Sequence, residues 1–400
     1  MKLVHSFWLL IFLVVAGGGS ETTAQDLTAD EVDLQVRPRL EWREGYRRLL
    51  QPLEQGSLFS QQRTRIAWRH GEGKWEVKLG FQDVRVFGDP AGTGEQHGRV
   101  SASESWGAWK PNDKTRLTFG RQKIAFDNER IVGAVDWSQS GRFLDGIRWD
   151  QTSGLGKSTA ALTWDAPNGI TRLMFHHVYE ASNQRLSLLY FDQHNSRDAA
   201  QTLMTYGFTW EAGTTQGVSS LLEGYGQSAV ATAENAEEMV FMGVAELRYA
   251  SAELGKVKLG VDWLQGSDGG DGSGLDFFKP FLGTNHRHYG WMDHFYVGGP
   301  ANGLTNLHLQ WKRDFHILER IATWDVRYHR FYQSDRRTLL ANEWDAVLQV
   351  QPSKDVKWFV GWSWMKATED MYAFQNRMEG AGPWQNWAWV QVNFSPKIKL

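Results

Sequence analysis

The chain has 400 residues, with 43 Lys and Arg against 46 Asp and Glu, a formal net charge of -3, no cysteine, 21 Trp and 41 Gly. The absence of cysteine excludes disulfides and thiolate metal sites, and a near-neutral charge gives no reason to expect a nucleic acid partner. Mean hydropathy is negative, too polar for a bundle of membrane-spanning helices, whereas a Trp-rich, Gly-rich composition suits strands with aromatic girdles.

The first residues read as a secretory signal. Lys2 supplies a basic start, Phe7 to Ala16 an apolar run, and Thr22 and Ala24 small residues before a cleavage point. That run is about half the roughly 20 residues a spanning helix needs. Residues 1–24 are therefore expected to be removed, and 25–400 to form one domain, since no Pro-rich, Ser-rich or low-complexity linker divides them.

From there alternation dominates. Val32, Leu34, Val36, Pro38, Leu40 and Trp42 fall on one face of a strand, and Asp33, Gln35, Arg37, Arg39, Glu41 and Arg43 on the other. The period of two recurs in KWEVKLGF from Lys74, KVKLGVDW from Lys256, NEWDAVLQV from Asn342 and DVKWFVGWSW from Asp355, with turn signals such as HGEGK, KPNDK and QPSKD between. Asn235 to Leu254 is rich in helix formers, but Ala245, Leu247 and Tyr249 alternate with Glu246 and Arg248, so a strand is expected there too. The spacing predicts roughly 16 to 18 strands of about ten residues, with 18 favoured. The fold class is all-β, a single transmembrane antiparallel barrel. A soluble sandwich alternates as well; the final strand favours the barrel, because Ala388, Val390, Val392 and Phe394 oppose Gln391, Asn393 and Ser395 almost to the chain's last residue, as a strand that closes a ring requires.

Between the strand ending at Gly120 and the one resuming at Phe143, DNERIVGAVDWSQSGR is too polar and glycine-punctuated to be strand. A loop of this length is functional or disordered. Its mixture of Arg, Asp, Val, Ile and Trp predicts an ordered loop from Asp127 to Arg142 that enters a lumen and is tied to the wall by ion pairs, Asp136 holding Arg130 or Arg142; a solvated external loop is the other reading.

Gly120, Arg121, Gln122, Arg130, Gly133, Asp136, Trp137, Gly141, Arg142, Phe143, Asp145 and Gly146 form a series that resembles the alginate export family of outer-membrane β-barrels. Asn285, His286, Gly290, Met292, Asp293 and Phe295 resemble a later loop of that family. The resemblance implies a monomeric barrel of about 18 strands in the outer membrane of a Gram-negative bacterium, with a basic lumen that passes an anionic polysaccharide. On the residues alone, Arg37, Arg39 and Arg43, Arg63, Arg65 and Arg69, and Lys74 and Lys78 make a basic wall on successive strands; these cations alternatively pair with Asp33, Glu41, Glu76, Asp83, Glu104 and Glu223. The expected channel lining comprises Arg37, Arg39, Arg63, Arg65, Arg116, Arg121, Gln122, Arg130, Asp136, Arg142, Asp145, Arg148 and Glu223.

His286, His288, His294 and Asp293, and the stretch SDGGDGSGLD from Ser267, match no metal-binding spacing and read as flexible external loops. No G-x-S-x-G or HExxH motif is present. The expectation is a passive channel for anionic saccharides or related anionic solutes, polyuronate export included, with outer-membrane lipid as its surroundings and neither cofactor nor chemical step. A general diffusion porin is the nearest alternative, and a secreted Trp-rich polysaccharide-binding or -cleaving protein a further one. Tryptophan placement separates them: in a barrel most of Trp42, Trp75, Trp263, Trp344, Trp358, Trp362, Trp364 and Trp389 should lie near strand ends facing lipid.

Overall fold

The computed structural model describes residues 29–87, 99–198, 202–229, 239–267, 275, 277–295, 303–377 and 382–400. The expected signal at 1–24, the first residues of the 235–254 segment and most of the 267–276 stretch lie outside the described residues. The strands are β1 (Ala29–Glu44), β2 (Ser57–Glu72), β3 (Trp75–Val86), β4 (Arg99–Asn112), β5 (Thr115–Gln122), β6 (Leu144–Ser153), β7 (Gly156–Asp165), β8 (Ile170–Ala181), β9 (Gln184–Asn195), β10 (Leu203–Gly213), β11 (Gly217–Ala229), β12 (Met239–Ser251), β13 (Gly255–Leu264), β14 (Leu304–Ile317), β15 (Arg320–Gln333), β16 (Leu339–Ser353), β17 (Val356–Ala367), β18 (Trp384–Phe394) and β19 (Lys397–Lys399).

Each strand from β1 to β17 pairs antiparallel with the next, and the ring closes where Phe394 of β18 faces Val36 and Ile398 of β19 faces Val32 of β1. Strands β18 and β19 form one stave broken at Ser395 and Pro396, because proline has no N–H to give the ladder. The result is a closed antiparallel barrel of 18 staves. The helix-prone segment is strand β12, as its alternation predicts.

Burial is inverted relative to a soluble sheet. On β1 the charged face is buried, Glu41 completely, while Leu40 and Trp42 on the other face are 46% and 41% exposed. The same holds for Trp75, Val77, Leu79 and Phe81 of β3 and for Leu247, Tyr249 and Leu259 of β12 and β13. A continuous apolar exterior of this extent is tolerated only in lipid. Outward tryptophans cluster toward strand ends, Trp75 and Trp358 beside tight turns and Trp42, Trp263 and Trp384 at the opposite rim. Trp389 departs from expectation: it shares the inward parity of Gln391 and is buried with Trp387 against Trp137.

Tight turns occupy one end of the barrel. Leu318 and Glu319, both at positive φ, join β14 to β15 in the backbone form whose twist matches a two-residue hairpin. Longer connections occupy the other end, and two of them, 123–143 and 277–295, fold inward. Near that rim the inward positions become apolar: Leu203, Tyr225, Met242, Leu264, Leu304, Phe331 and Met365 are buried in one cluster with Ile131, Val132, Phe278, Tyr289 and Met292 from the two loops. Helix α1 (Glu369–Phe374), N-capped by Thr368 accepting from the Met371 amide, adds Met371 and Tyr372 to this core. Part of the interior near that rim is thus occupied by an ordinary hydrophobic core, which the alternation of the strands alone does not predict.

Candidate functional site

The loop following β5 crosses the lumen. It leaves Gln122 and reaches the β8–β9 wall first, where Asp127 lies 3.0 Å from His176 Nε2 and accepts from Arg185 at 2.6 Å and Ser187 at 2.8 Å. Asp127 itself adopts φ 49, a conformation Asp tolerates better than most residues. Three residues on, the Arg130 guanidinium meets Glu223 of β11 at 2.6 Å, Asp262 of β13 at 2.8 Å and Glu246 of β12 at 3.5 Å, with both it and its partners sealed from solvent. Burial lowers the affinity of the guanidinium for its proton, but Asp262 and Glu223 outweigh that and raise it.

Residues 129–135 then join the second inward loop. Val132 forms a parallel bridge with Leu282, Gly133 N donates to Leu282 O at 2.8 Å, and Thr284 N donates to Glu129 O at 2.8 Å. Arg142 donates to the carbonyl oxygens of Gly133, Leu282 and Gly283. Finally the turn at 136–139 meets β1 and β2. Arg37 donates to the carbonyl oxygens of Asp136 at 2.8 Å and Ser138 at 2.7 Å and to the Gln139 side chain at 2.9 Å, and Arg39 donates to Trp137 O at 3.2 Å.

The second loop is ordered and internal, which corrects the expectation of a flexible external segment. His286 Nδ1 lies 2.7 Å from Asp293, whose carboxylate also accepts from Tyr46. The His286 ring stacks on Trp137 at 5.1 Å, and His288 Nε2 lies 2.9 Å from Asn128 O. Burial takes His294 down to about 4, so it is neutral at ordinary pH, with Nδ1 2.9 Å from the Gln375 amide nitrogen. The turn from Gly290 to Asp293 hangs on β16, with Met292 N donating to Glu343 at 2.8 Å and Trp291 N to Asp345 at 3.3 Å. The inward parity of Glu343 and Asp345 is visible in the sequence, but their task of holding a loop is not. Among the described residues no group of three or more His, Asp or Glu is arranged to hold a metal ion.

Where the crossing loop meets β1 and β2, Asp136 is half exposed and sits 3.2 Å from Arg63, 3.6 Å from Arg65 and 3.3 Å from Lys123. Partial burial pushes its carboxyl up, but the fields of Arg63, Lys123, Arg37 and Arg65 outweigh this and leave it below its ordinary value. Around the same wall Arg39 and Arg43 share Glu41, Lys78 pairs with Glu104 at 2.7 Å, and Arg69, Lys110 and Arg116 converge on Glu76. Among the described residues Arg37 has no carboxylate within 4 Å; its bonds go to carbonyl oxygens and Gln139. On this wall the cations pair with carboxylates within and across strands, and they outnumber the carboxylates that receive them.

Several expected lining residues stand elsewhere. Arg121 and Asp145 pair at 3.1 Å across β5 and β6 on the outward parity of Phe119 and Ile147, so they belong to the outer surface near the rim. Arg130 and Glu223 are sealed in the tether, and Arg142 binds loop carbonyls. Asp136 holds neither of these arginines; it pairs with the wall. Gln122 is buried, contacting Gly146 O at 3.4 Å. Arg116 and Arg148 do face inward, Arg148 pairing with Asp150 at 2.8 Å. Lys123 and Tyr46 carry no signal in the sequence for these roles: extended through Lys123, the parity of β5 would turn it outward with Phe119 and Arg121, whereas it meets Asp136.

A closed barrel of 18 staves with an apolar exterior and a lumen narrowed by inward loops has the fold of the outer-membrane porins, and places the chain in a Gram-negative outer membrane. Over nearly its whole length it is similar in structure to Acinetobacter baumannii OccAB1, with a TM-score of 0.64 at 13% identity covering 95% of this chain and 100% of that one. Pseudomonas aeruginosa OpdL gives 0.61 at 12% identity, covering 94% and 99%, and Pseudomonas aeruginosa OccK11 (OpdR) gives 0.63 at 11%, covering 96% and 99%. At these identities the likeness is one of fold. No known family and no curated protein matches the sequence. The resemblance to outer-membrane barrel porins is borne out, whereas the alginate export family receives no such support.

Proposed function

We propose that the chain is a passive diffusion channel that favours small anionic solutes. The observation that carries this is the unequal wall facing Asp136, where Arg37, Arg63, Arg65 and Lys123 surround a single carboxylate. In a constriction, unit charges about 4 Å apart interact by roughly 4 kcal/mol at an effective dielectric of 20, against about 1 in bulk water. A surplus of fixed cations therefore raises the local concentration of anions, as basic rings do in other pores. The forked arginine head suits carboxylates in particular. The general-porin alternative fits better than polyuronate export, because the structural likeness is to outer-membrane porins. Translocation on this reading needs neither cofactor nor covalent step.

The test is the reversal potential of the purified protein in a planar bilayer under a potassium chloride gradient. Anion preference is expected, and Arg63→Gln with Arg65→Gln should move it toward cations, more so at low salt where screening is weaker. A wild-type reversal potential on the cation side would refute the proposal.

A further inference from the structure

We infer that Asp136 is a built-in competitor for solute carboxylates, occupying their place against Arg63, Arg65 and Lys123 until a solute carboxylate displaces it. This rests on the reading of the chain as an anion-favouring channel and adds to it a competitor carried by the chain itself. Four observations converge. Asp136 places one carboxylate against three cations at 3.2, 3.6 and 3.3 Å. Its side chain is 52% exposed, whereas those of Glu41 and Glu76 on the same wall are 0% and 6% exposed, so it can leave its partners without crossing a packed interior.

The third observation concerns the backbone. The turn is held independently of the Asp136 side chain, by Arg37 on the carbonyls of Asp136 and Ser138 and by Arg39 on that of Trp137. Rotating the carboxylate off Arg63 leaves the loop docked. Fourth, the Phe143 ring lies 5.3 Å from the Arg65 guanidinium and 5.8 Å from Lys123 Nζ, giving the site an apolar flank against which the carbon frame of a small carboxylic acid can rest.

An exchange of one carboxylate for another conserves the number of ion pairs, so it avoids the large cost of stripping buried cations. It also weakens solute binding, because apparent affinity falls by the fraction of time the site is free. Weak, rapidly exchanging binding suits a channel that must release what it captures.

The experiment measures the half-blocking concentration of D-glucuronate on single-channel current, with glucose as the uncharged control. If the site is free about a tenth of the time, Asp136→Asn and Asp136→Ser should each lower the glucuronate value by about tenfold. Asp136→Glu should stay near wild type, and Arg63→Gln with Arg65→Gln should abolish the block. Values unchanged in Asp136→Asn and Asp136→Ser, or lowered equally for glucose, would overturn the inference. The reversal potential reports the channel reading separately: anion preference with unchanged half-block removes only the competitor role.

Discussion

Arg130 offers the sharpest test of how the crossing loop is held. Replacing it with methionine keeps much of the volume and removes the charge that Glu223 and Asp262 face at 2.6 and 2.8 Å. Glu246 would retain Arg248 at 2.7 Å and Lys258 at 3.3 Å, while Glu223 would keep the neutral Thr209 at 3.1 Å and Asn128, and Asp262 the Asn306 amide at 2.8 Å and His308 at 3.5 Å. Removing one partner of a buried ion pair costs about 3–5 kcal/mol, because the remaining charge is left desolvated. The barrel wall does not depend on Arg130, so the penalty should appear as undocking of residues 127–135, which become roughly two to four powers of ten more often released. Single-channel recordings of Arg130→Met should show frequent excursions to a higher conductance. Adding Glu223→Gln and Asp262→Asn, which remove the stranded charges, should quieten the trace. Recordings of Arg130→Met as quiet as wild type would refute the tether.

The face assignment is tested on β18: Val390→Arg, on the 48% exposed lipid side, should cost about 2–4 kcal/mol near the bilayer midplane and reduce the heat-modifiable folded band, whereas Asn393→Arg should fold normally. Gly290 has φ +77, and an added Cβ would lie 2.5 Å from Glu343; Gly290→Ala should detach the second loop's turn and expose Trp291 to a fluorescence quencher that does not reach it in wild type. For pH, the depressed Asp136 carboxyl contributes stability that is fully present above its ordinary value of 3.8 and is lost as pH falls through the lower folded value. The selectivity difference between wild type and Asp136→Asn should therefore be constant from pH 8 to about 5 and vanish only in strong acid; a difference that titrates near neutrality would assign it to another group.

The wall was legible because its physics is local. Each strand shows its two faces through a period of two, and β1 reads correctly residue by residue from Val32 to Arg43. Closure was legible from the last strand for the same reason. What the sequence concealed is the filling. Met242 and Val244 of β12 face inward beside Phe241 facing out, so the strand is apolar on both faces near the rim, and that loss of alternation is a local trace of a docked loop. The partners of Arg130 lie on β11, β12 and β13, and those of Asp136 on β2 and at Lys123. Such pairings depend on which walls the loop crosses, and nothing in the spacing of DNERIVGAVDW states that path. The histidines of the second loop misled because their neighbourhood is polar in sequence and becomes buried only through Trp137, Asp293 and Gln375, all distant along the chain or brought close by the turn.

The pairing of β1 with β18 and β19 differs in kind from every other in the wall. The others join strands consecutive in sequence, which can zip up as hairpins at small entropic cost. The ring-closing pair brings together residues such as Trp42 and Ala388 from opposite ends of the described chain. Until it forms, both edges present unpaired N–H and C=O groups, which hydrocarbon cannot satisfy, and the inward apolar residues near the rim have no enclosed space to share with the two loops. Biogenesis is therefore close to all-or-none: a chain arrested before β18 is an open, sticky sheet prone to edge-to-edge association, not a slightly smaller pore.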